Sequence, residues 1–286
     1  LLLPIEIGTG IAAIMPVDRD EEHWDDLQIV FATSAGDVRR NRLSDFTNVM
    51  RNGKIAMKLP EGADVSLVNA RICSEDEDVM LVTAYGRAIR FRTTDVRVFQ
   101  SRESTGVRGI RLGDGDRVVS MAVIRHFEAS PEERAAYLKM RRAMAGLPDE
   151  AEPDADDDEE NAAATEFSND RYVEMSAAED LILTITTGGM GKVSSSHDYP
   201  VRGRGGQGVR AMDPAMRGGA LVAAFPVEAD DQIMLATSTG QSIRVPVAGI
   251  SFRSRAAGGV KVFNTSPGEE VVSVAYIAEQ GEEAEE

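Results

Sequence analysis

Four stretches of the chain alternate apolar and polar positions in the same way. They read DLQIVFATSAGDVRRN (26–41), DVMLVTAYGRAIRF (78–91), DLILTITTGGMGKV (180–193) and DQIMLATSTGQSIRV (231–245). Each opens on Asp, runs through β-branched residues to Thr-x-x-Gly, and returns through a second run with a base three or four residues after the Gly. Strand, Gly-centred turn and returning strand predict a β-hairpin. The turns fall at Thr33/Gly36, Thr83/Gly86, Thr186/Gly189 and Thr237/Gly240. Behind each hairpin a Gly opens another short run: RNGKIAMKL (51–59), STGVRGIRL (104–112), GQGVRAM (206–212) and AGGVKVF (257–263). An apolar strand then closes the module: DVSLVNARI (64–72), DRVVSMAVI (116–124), ALVAAFPV (220–227) and EVVSVAYI (270–277). Residues 1–17, ending in GIAAIMPV, match the closing strand of a preceding module.

The repeated Thr positions are spaced 50, 103 and 51 residues apart, so one interval is doubled by an insertion. A unit of about fifty residues that recurs is one supersecondary block, and four-stranded blocks of this length hide their edges best as propeller-like blades. The expected division is a truncated blade at 1–17, blades at 18–74, 75–125, 179–228 and 229–278, an insertion at 126–178, and a tail at 279–286. Within the insertion, 130–146 reads as one helix. Ser130 can cap it, Pro131 opens it, Glu132 and Glu133 sit at its positive end, Arg141 and Arg142 at its negative end, and Gly146 closes it. The run at 147–166 has little to bury and a dense like charge, which predicts disorder, as does the acidic tail.

The formal charge of -17 argues against nucleic acid until it is mapped. Residues 126–180 hold 17 acids and 5 bases, and 279–286 hold 5 acids and no base; the rest carries 26 of each sign. A neutral body can still segregate a basic rim. The one cysteine, Cys73, forbids an intrachain disulfide and suits a reducing cytoplasm. No apolar run is long enough to predict a membrane span, and no basic stretch precedes the opening LLLPI. Beginning on Leu, the chain reads as a fragment.

The segment STGVRGIRLGDGDRVVSM (104–121), with DVMLVTAYGRAIRF before it, resembles the carboxy-terminal, DNA-wrapping domain of the DNA gyrase A protein. The resemblance spans all the modules and leaves out only the insertion and the acidic tail. It implies an all-β, propeller-like β-pinwheel whose rim bends duplex DNA without reading sequence. It further implies a role inside an ATP-dependent type IIA topoisomerase that introduces negative supercoils. The implied partners are the rest of the gyrase A protein, which forms a homodimer, and two copies of the gyrase B protein. ATP and Mg2+ are used elsewhere in that assembly, and no cofactor or catalytic residue is expected in this chain. The family's diagnostic box, approximately Gln-Arg-Arg-Gly-Gly-Lys-Gly, belongs to a first blade outside this sequence. Arg202-Gly203-Arg204-Gly205-Gly206-Gln207-Gly208 is a degenerate copy that matches at Arg204, Gly205, Gly206 and Gly208, and the resemblance implies that these touch DNA backbone phosphates without locking the wrap as the first-blade box does.

Bases in the Gly-flanked loops are the candidate DNA contacts: Arg39, Arg40, Arg42, Arg51, Lys54, Lys58, Arg87, Arg90, Arg92, Arg102, Arg108, Arg111, Lys192, Arg202, Arg204, Arg210, Arg244, Arg253, Arg255 and Lys261. Equivalent positions in successive blades should trace a curved row. Bending roughly 20–30 base pairs costs on the order of 1–6 kcal/mol, which distributed phosphate contacts offset. From composition alone, such bases equally solvate strand edges. Two rivals stand beside the gyrase reading: the equivalent domain of topoisomerase IV, serving decatenation, and a propeller acting as a protein-interaction platform. Other signals are set aside. Residues 203–208 spell G-x-G-x-x-G, but a strand-like run follows where a dinucleotide site needs a helix. Asp170-Arg171-Tyr172 lies in the insertion and reads as packing. His23, His126 and His197 lack metal-like spacing and read as surface residues, and the Asp114/Asp116 pair reads as a turn. Trp24 and Cys73 read as packing residues.

Overall fold

The Thr-x-x-Gly signature becomes the same turn four times. The Gly amide donates to the Thr carbonyl at 3.0 Å in every copy. The Thr Oγ1 accepts the amide of the residue four on, Asp37, Arg87, Met190 or Gln241, at 3.1–3.2 Å. The Gly itself is left-handed in each, with φ between 73° and 87°. This computed structural model describes residues 10–17, 21–47, 53, 55–60, 64–100, 104–147, 167–212 and 218–277.

The first module supplies β1 (Gln28–Thr33), β2 (Asp37–Arg42) and β3 (Leu67–Cys73), and the second β4 (Glu77–Thr83), β5 (Arg87–Arg92), β6 (Val107–Arg108) and β7 (Val118–Arg125). Two helices follow, α1 (Pro131–Met144) and α2 (Asn169–Ala177). The third module holds β8 (Leu181–Thr186), β9 (Met190–Ser195), β10 (Val209–Arg210) and β11 (Leu221–Val227). The fourth holds β12 (Gln232–Thr237), β13 (Ser242–Pro246), β14 (Val260–Lys261) and β15 (Val271–Ile277).

The architecture is the expected all-β, propeller-like pinwheel, with one difference in how blades are assembled. The sheets run β3-β1-β2-β6, β7-β4-β5-β10, β11-β8-β9-β14 and β15-β12-β13. The outermost strand of each four-stranded sheet is therefore given by the next module and is not built from a contiguous segment. The reason lies in one glycine ahead of each exchanged strand. A Cβ on Gly106 would stand 2.2 Å from the Val38 carbonyl, one on Gly208 2.2 Å from that of Ala88, and one on Gly259 2.9 Å from the Gly191 backbone. Only a residue without a side chain lets the incoming backbone come this close.

The exchange makes each joint a core. One cluster joins Val30, Ala32 and Val38 to Val79, Leu81, Ile89 and Phe91; a second joins Met80, Val82 and Ala88 to Ile182, Tyr199 and Val209; a third joins Leu183, Ile185 and Val193 to Ile233, Leu235 and Val271. The closing strands are innermost, and all four line a central cavity of about 700 Å³. Residues 10–17 pair into no ladder among the described residues, so the expected closing strand is not formed there. Ala13 and Met15 pack instead on Ile29, Phe31 and Leu43 of the first blade.

The helix expected at 130–146 runs Pro131–Met144, and its cap is reciprocal. Ser130 Oγ accepts from Glu133 N at 3.2 Å while Glu133 Oε2 accepts from Ser130 N at 2.9 Å. The second helix, α2, has no counterpart in the sequence-based expectation. Tyr172 on it stacks on Tyr137 of α1 at 5.0 Å, and Tyr137 meets the His197 ring edge-on at 5.0 Å. The acidic run, apart from Leu147, and the tail lie outside the described residues. The surface reading holds for His23 and fails for the other two histidines. His197 is buried with Nε2 2.8 Å from the Met175 carbonyl, and His126 Nδ1 lies 2.8 Å from buried Asp78. Burial pushes the His197 imidazole below its ordinary range. It also pushes the Cys73 thiol up to about 12, which suits a packing residue.

Candidate nucleic-acid interface

The bases that follow the turns divide into two populations, and the first is internal. Arg40 sends Nε to the Val96 carbonyl at 2.6 Å and Nη1 to Gln28 Oε1 at 2.7 Å. At the same repeat position one blade on, Arg90 bonds Asp78 Oδ2 and the Ser196 carbonyl at 2.7 Å each and the Arg125 carbonyl at 2.8 Å. Arg39 bonds Asn41 Oδ1 at 2.7 Å and the Ser104 carbonyl at 2.6 Å, with its guanidinium 5.0 Å over the Phe99 ring. Lys192 Nζ bonds the carbonyls of Ser254, Arg255 and Ala257. All four are buried. The expectation that these positions meet DNA rests on their recurrence, and their recurrence has another cause: the carbonyls of the next module's loop need a cationic donor at each joint.

The glycine-rich loops carry a second staple between modules, exposed in one copy and buried in the next. Arg204 sends Nε to the Asp95 carbonyl at 2.9 Å and Nη1 to the Arg108 carbonyl at 3.0 Å. Arg255 makes the equivalent pair one module later, to Asp198 and Arg210 carbonyls at 2.7 Å each, and is buried. Arg204, the residue that makes 202–208 look like the family's box, thus holds the loop onto the neighbouring module.

The second population faces outward. Arg108, Arg210 and Lys261 occupy the same place in β6, β10 and β14, the outermost strand of each four-stranded sheet. Arg108 and Lys261 are exposed and Arg210 is half-buried. Arg108 stands opposite Asp37, and it lowers that carboxyl against the larger upward effect of burial. Arg42, Lys58, Arg111 and Arg244 are also exposed, while Arg87, Arg92, Arg202 and Arg253 are half-buried. Gly205 and Gly208 are left-handed, and Gly206 lines a surface cavity with Arg87 and Arg202. Arg51, Lys54 and Arg102 lie outside the described residues. Reading by Gly-flanked loops misses Arg71, an exposed cation on β3 that lines the central cavity, because it sits on an inner strand. The geometry offers outward-facing cations at repeated places on the outermost strands and, among the described residues, no cluster that could hold a metal ion. No described helix is long and apolar enough to cross a membrane.

Comparison with known proteins agrees with this architecture. The model of the family described as "DNA gyrase C-terminal domain, beta-propeller" matches residues 28–74, 77–125, 180–228 and 231–278. The chain is 46% identical over 289 residues to the A subunit of DNA gyrase from Granulibacter bethesdensis, covering 97% of this chain and 30% of that protein. It is 31% identical over 282 residues to the A subunit of DNA gyrase from Escherichia coli, covering 99% of this chain and 26% of that protein. The chain therefore spans about three-tenths of the length of the relatives it matches. Among solved structures, a DNA gyrase A C-terminal domain aligns with TM-score 0.63 at 20% identity, over 91% of this chain and 68% of that one. A DNA topoisomerase IV C-terminal domain aligns with TM-score 0.69 at 19% identity, over 96% and 68%. These two likenesses concern the fold alone. Repeat, exchanged strands and family match converge, and the chain belongs to the DNA gyrase C-terminal domain, beta-propeller family.

Proposed function

We propose that this chain binds duplex DNA along the outer edges of its blades and bends it, with little regard for sequence. The observation that carries this reading is the recurrence of Arg108, Arg210 and Lys261 on the outermost strands. A row of point charges on a convex edge meets successive phosphates of a curved duplex, and the contacts offset the cost of bending. Within a bacterial, ATP-dependent topoisomerase, the domain would serve the remainder of the gyrase A protein and its partner, the gyrase B protein, in the cytoplasm. There the wrapped segment would be presented for strand passage, so that negative supercoils accumulate. Decatenation, as in a topoisomerase IV, has support only from fold, whereas the relatives at 31–46% identity carry the gyrase name.

Duplex affinity of the 286-residue chain, followed across a salt series, is the test. Affinity should fall steeply with salt, and Arg108→Ala or Lys261→Ala should each flatten the log–log slope by roughly one. Binding that is absent at low salt, or indifferent to salt, overturns the reading.

A further inference from the structure

The insertion does more than fill the joint it interrupts. Consecutive modules are otherwise linked by residues 74–76 and 228–231, whereas the stretch between β7 and β8 carries α1 and α2. Their foot stands where the chain leaves the second module. Arg171 of α2 sends Nε to Glu133 Oε1 at 2.8 Å and Nη2 to the Glu128 carbonyl at 2.7 Å, with its guanidinium 4.7 Å over the Phe127 ring. At the end of α2, Arg125 of β7 binds the Ala177 carbonyl at 2.8 Å and Asp180 Oδ1 at 3.0 Å. The middle of the helix pair lies on the third module, through the contacts of His197 with Tyr137 and Met175.

The far end reaches the fourth module. At about 1.5 Å per residue, the helix from the Ser130 cap to Arg141 covers roughly 17 Å. Arg141, in the last turn of α1, sends Nε to Glu179 Oε2 at 2.7 Å and lays its guanidinium over the Phe252 ring, 4.0 Å from the centroid. The Glu179 side chain is 7% exposed, so the pair is shielded from the water and salt that weaken surface ion pairs. The carboxyl end of the helix favours a cation there as well. Phe252 is itself a joint residue: its backbone bridges Val193 of β9, and the next amide, Arg253 N, bonds the Val193 carbonyl at 2.8 Å. The same place is Val98 in the second module, bridged to Arg40, and Val201 in the third, bridged to Arg90. Of these three modules, the one with an aromatic ring at this place is the one that a cation from the insertion reaches.

We propose that the insertion is a strut that fixes the angle of the fourth blade against the third, and that Arg141 is its positioning residue. Glu179, at the start of the third module, and Phe252, in the fourth, hold one guanidinium between them. Asp180, beside Glu179, carries the link back to Arg125 of the second module. A hinge movement between the third and fourth blades would draw Phe252 off a cation that Glu179 keeps in place. Lys261 lies at the edge of the third sheet and Arg244 on the fourth, both exposed, so the angle between those blades sets the line that joins them. The inference rests on the DNA reading for that consequence alone: the strut fixes the curve that the last blades offer to a duplex.

Three equivalent amides report on the three joints: Phe99 N on the Arg40 carbonyl, Arg202 N on that of Arg90 and Arg253 N on that of Val193, each at 2.8 Å. Hydrogen exchange in the 286-residue chain is followed at all three. Arg141→Ala should speed exchange at Arg253 roughly tenfold, the size of one lost charge-assisted hydrogen bond, and leave Phe99 and Arg202 within about twofold. Phe252→Val, which installs the residue of the other two modules, should do at least as much. Adding Arg141→Ala to it should then add little, because both changes break one contact. Lys139→Gln, on the exposed side of α1, controls for net charge and should leave all three amides alone. Plasmid relaxed in the presence of saturating chain should show a smaller linking difference with Arg141→Ala than with the natural chain or Lys139→Gln. No change at Arg253, equal acceleration at all three amides, additive effects in the double variant, or an equal linking difference each overturns the inference. If the natural chain fails to bind duplex, the DNA reading falls and the exchange results decide the strut alone.

Discussion

The second and fourth blades are built from the same hairpin and meet different fates at their far faces. Met80 and Met234 hold the same repeat position, as do Arg90 and Arg244. Met80 is 1% exposed and Met234 40%. Arg90 is buried against Asp78 and the third module's carbonyls, whereas Arg244 is exposed. Nothing within the blades accounts for this. The third module packs on the second blade and lends it β10, while β13 has no further strand beside it among the described residues. A cation that follows the turn is therefore a joint element or a surface charge according to what the next module brings.

The strongest way to break that comparison is to remove the same arginine from both blades. Arg90→Ala leaves the Asp78 carboxylate buried beside its remaining neighbour His126, and should cost about 3–5 kcal/mol in urea unfolding. Arg244→Ala should stay within about 0.5 kcal/mol. Equal costs would show that the two positions do the same job. Glycines give a smaller contrast. Gly208→Ala combines a left-handed φ of 71° with a Cβ 2.2 Å from the Ala88 carbonyl, and should cost upwards of about 2 kcal/mol by displacing β10. Gly240→Ala, at φ 85° with nothing within 4 Å, carries only the backbone penalty of about 1 kcal/mol.

These contrasts mark how far the sequence can be read. Hairpins, closing strands and the α1 cap are legible because each is local: Thr33 closes its own turn, and Ser130 and Glu133 satisfy each other across one helical turn. Strand exchange is not, because Val107–Arg108 looks the same in sequence whether it joins its own sheet or the previous one. The candidate site suffers from the same ambiguity. Recurrence suggests a rim, yet Arg39, Arg40, Arg90, Lys192 and Arg255 recur because every joint has carbonyls to satisfy. Arg108 and Lys261 recur on the outer strands, and sequence alone assigns both groups the same weight. The second helix is hidden by its length of nine residues, and the sense of Tyr172 depends on Tyr137, which lies far away in the chain.

The smallest effect concerns the insertion, which interrupts one joint and no other. His197 sits under α1 and α2, facing Glu179, Asp180 and Arg90, with Nε2 on the Met175 carbonyl and the Tyr137 and Phe127 rings around it. Burial is the largest cause that holds its pKa below the ordinary 6.5, so the unfolded chain takes up the proton first. Its contribution is complete above about pH 6.5 and declines as pH falls below that, by at most about 1.4 kcal/mol per unit until the folded state also protonates. His197→Gln keeps a donor for the Met175 carbonyl and cannot titrate. The difference in unfolding free energy between the two chains, measured from pH 7.5 to 5.5, should therefore shrink toward acid. Carboxylates and the other histidines cancel in that difference, which isolates one ring. A difference that stays constant with pH would mean that water reaches the ring, and that the helices lie on the third blade without sealing it.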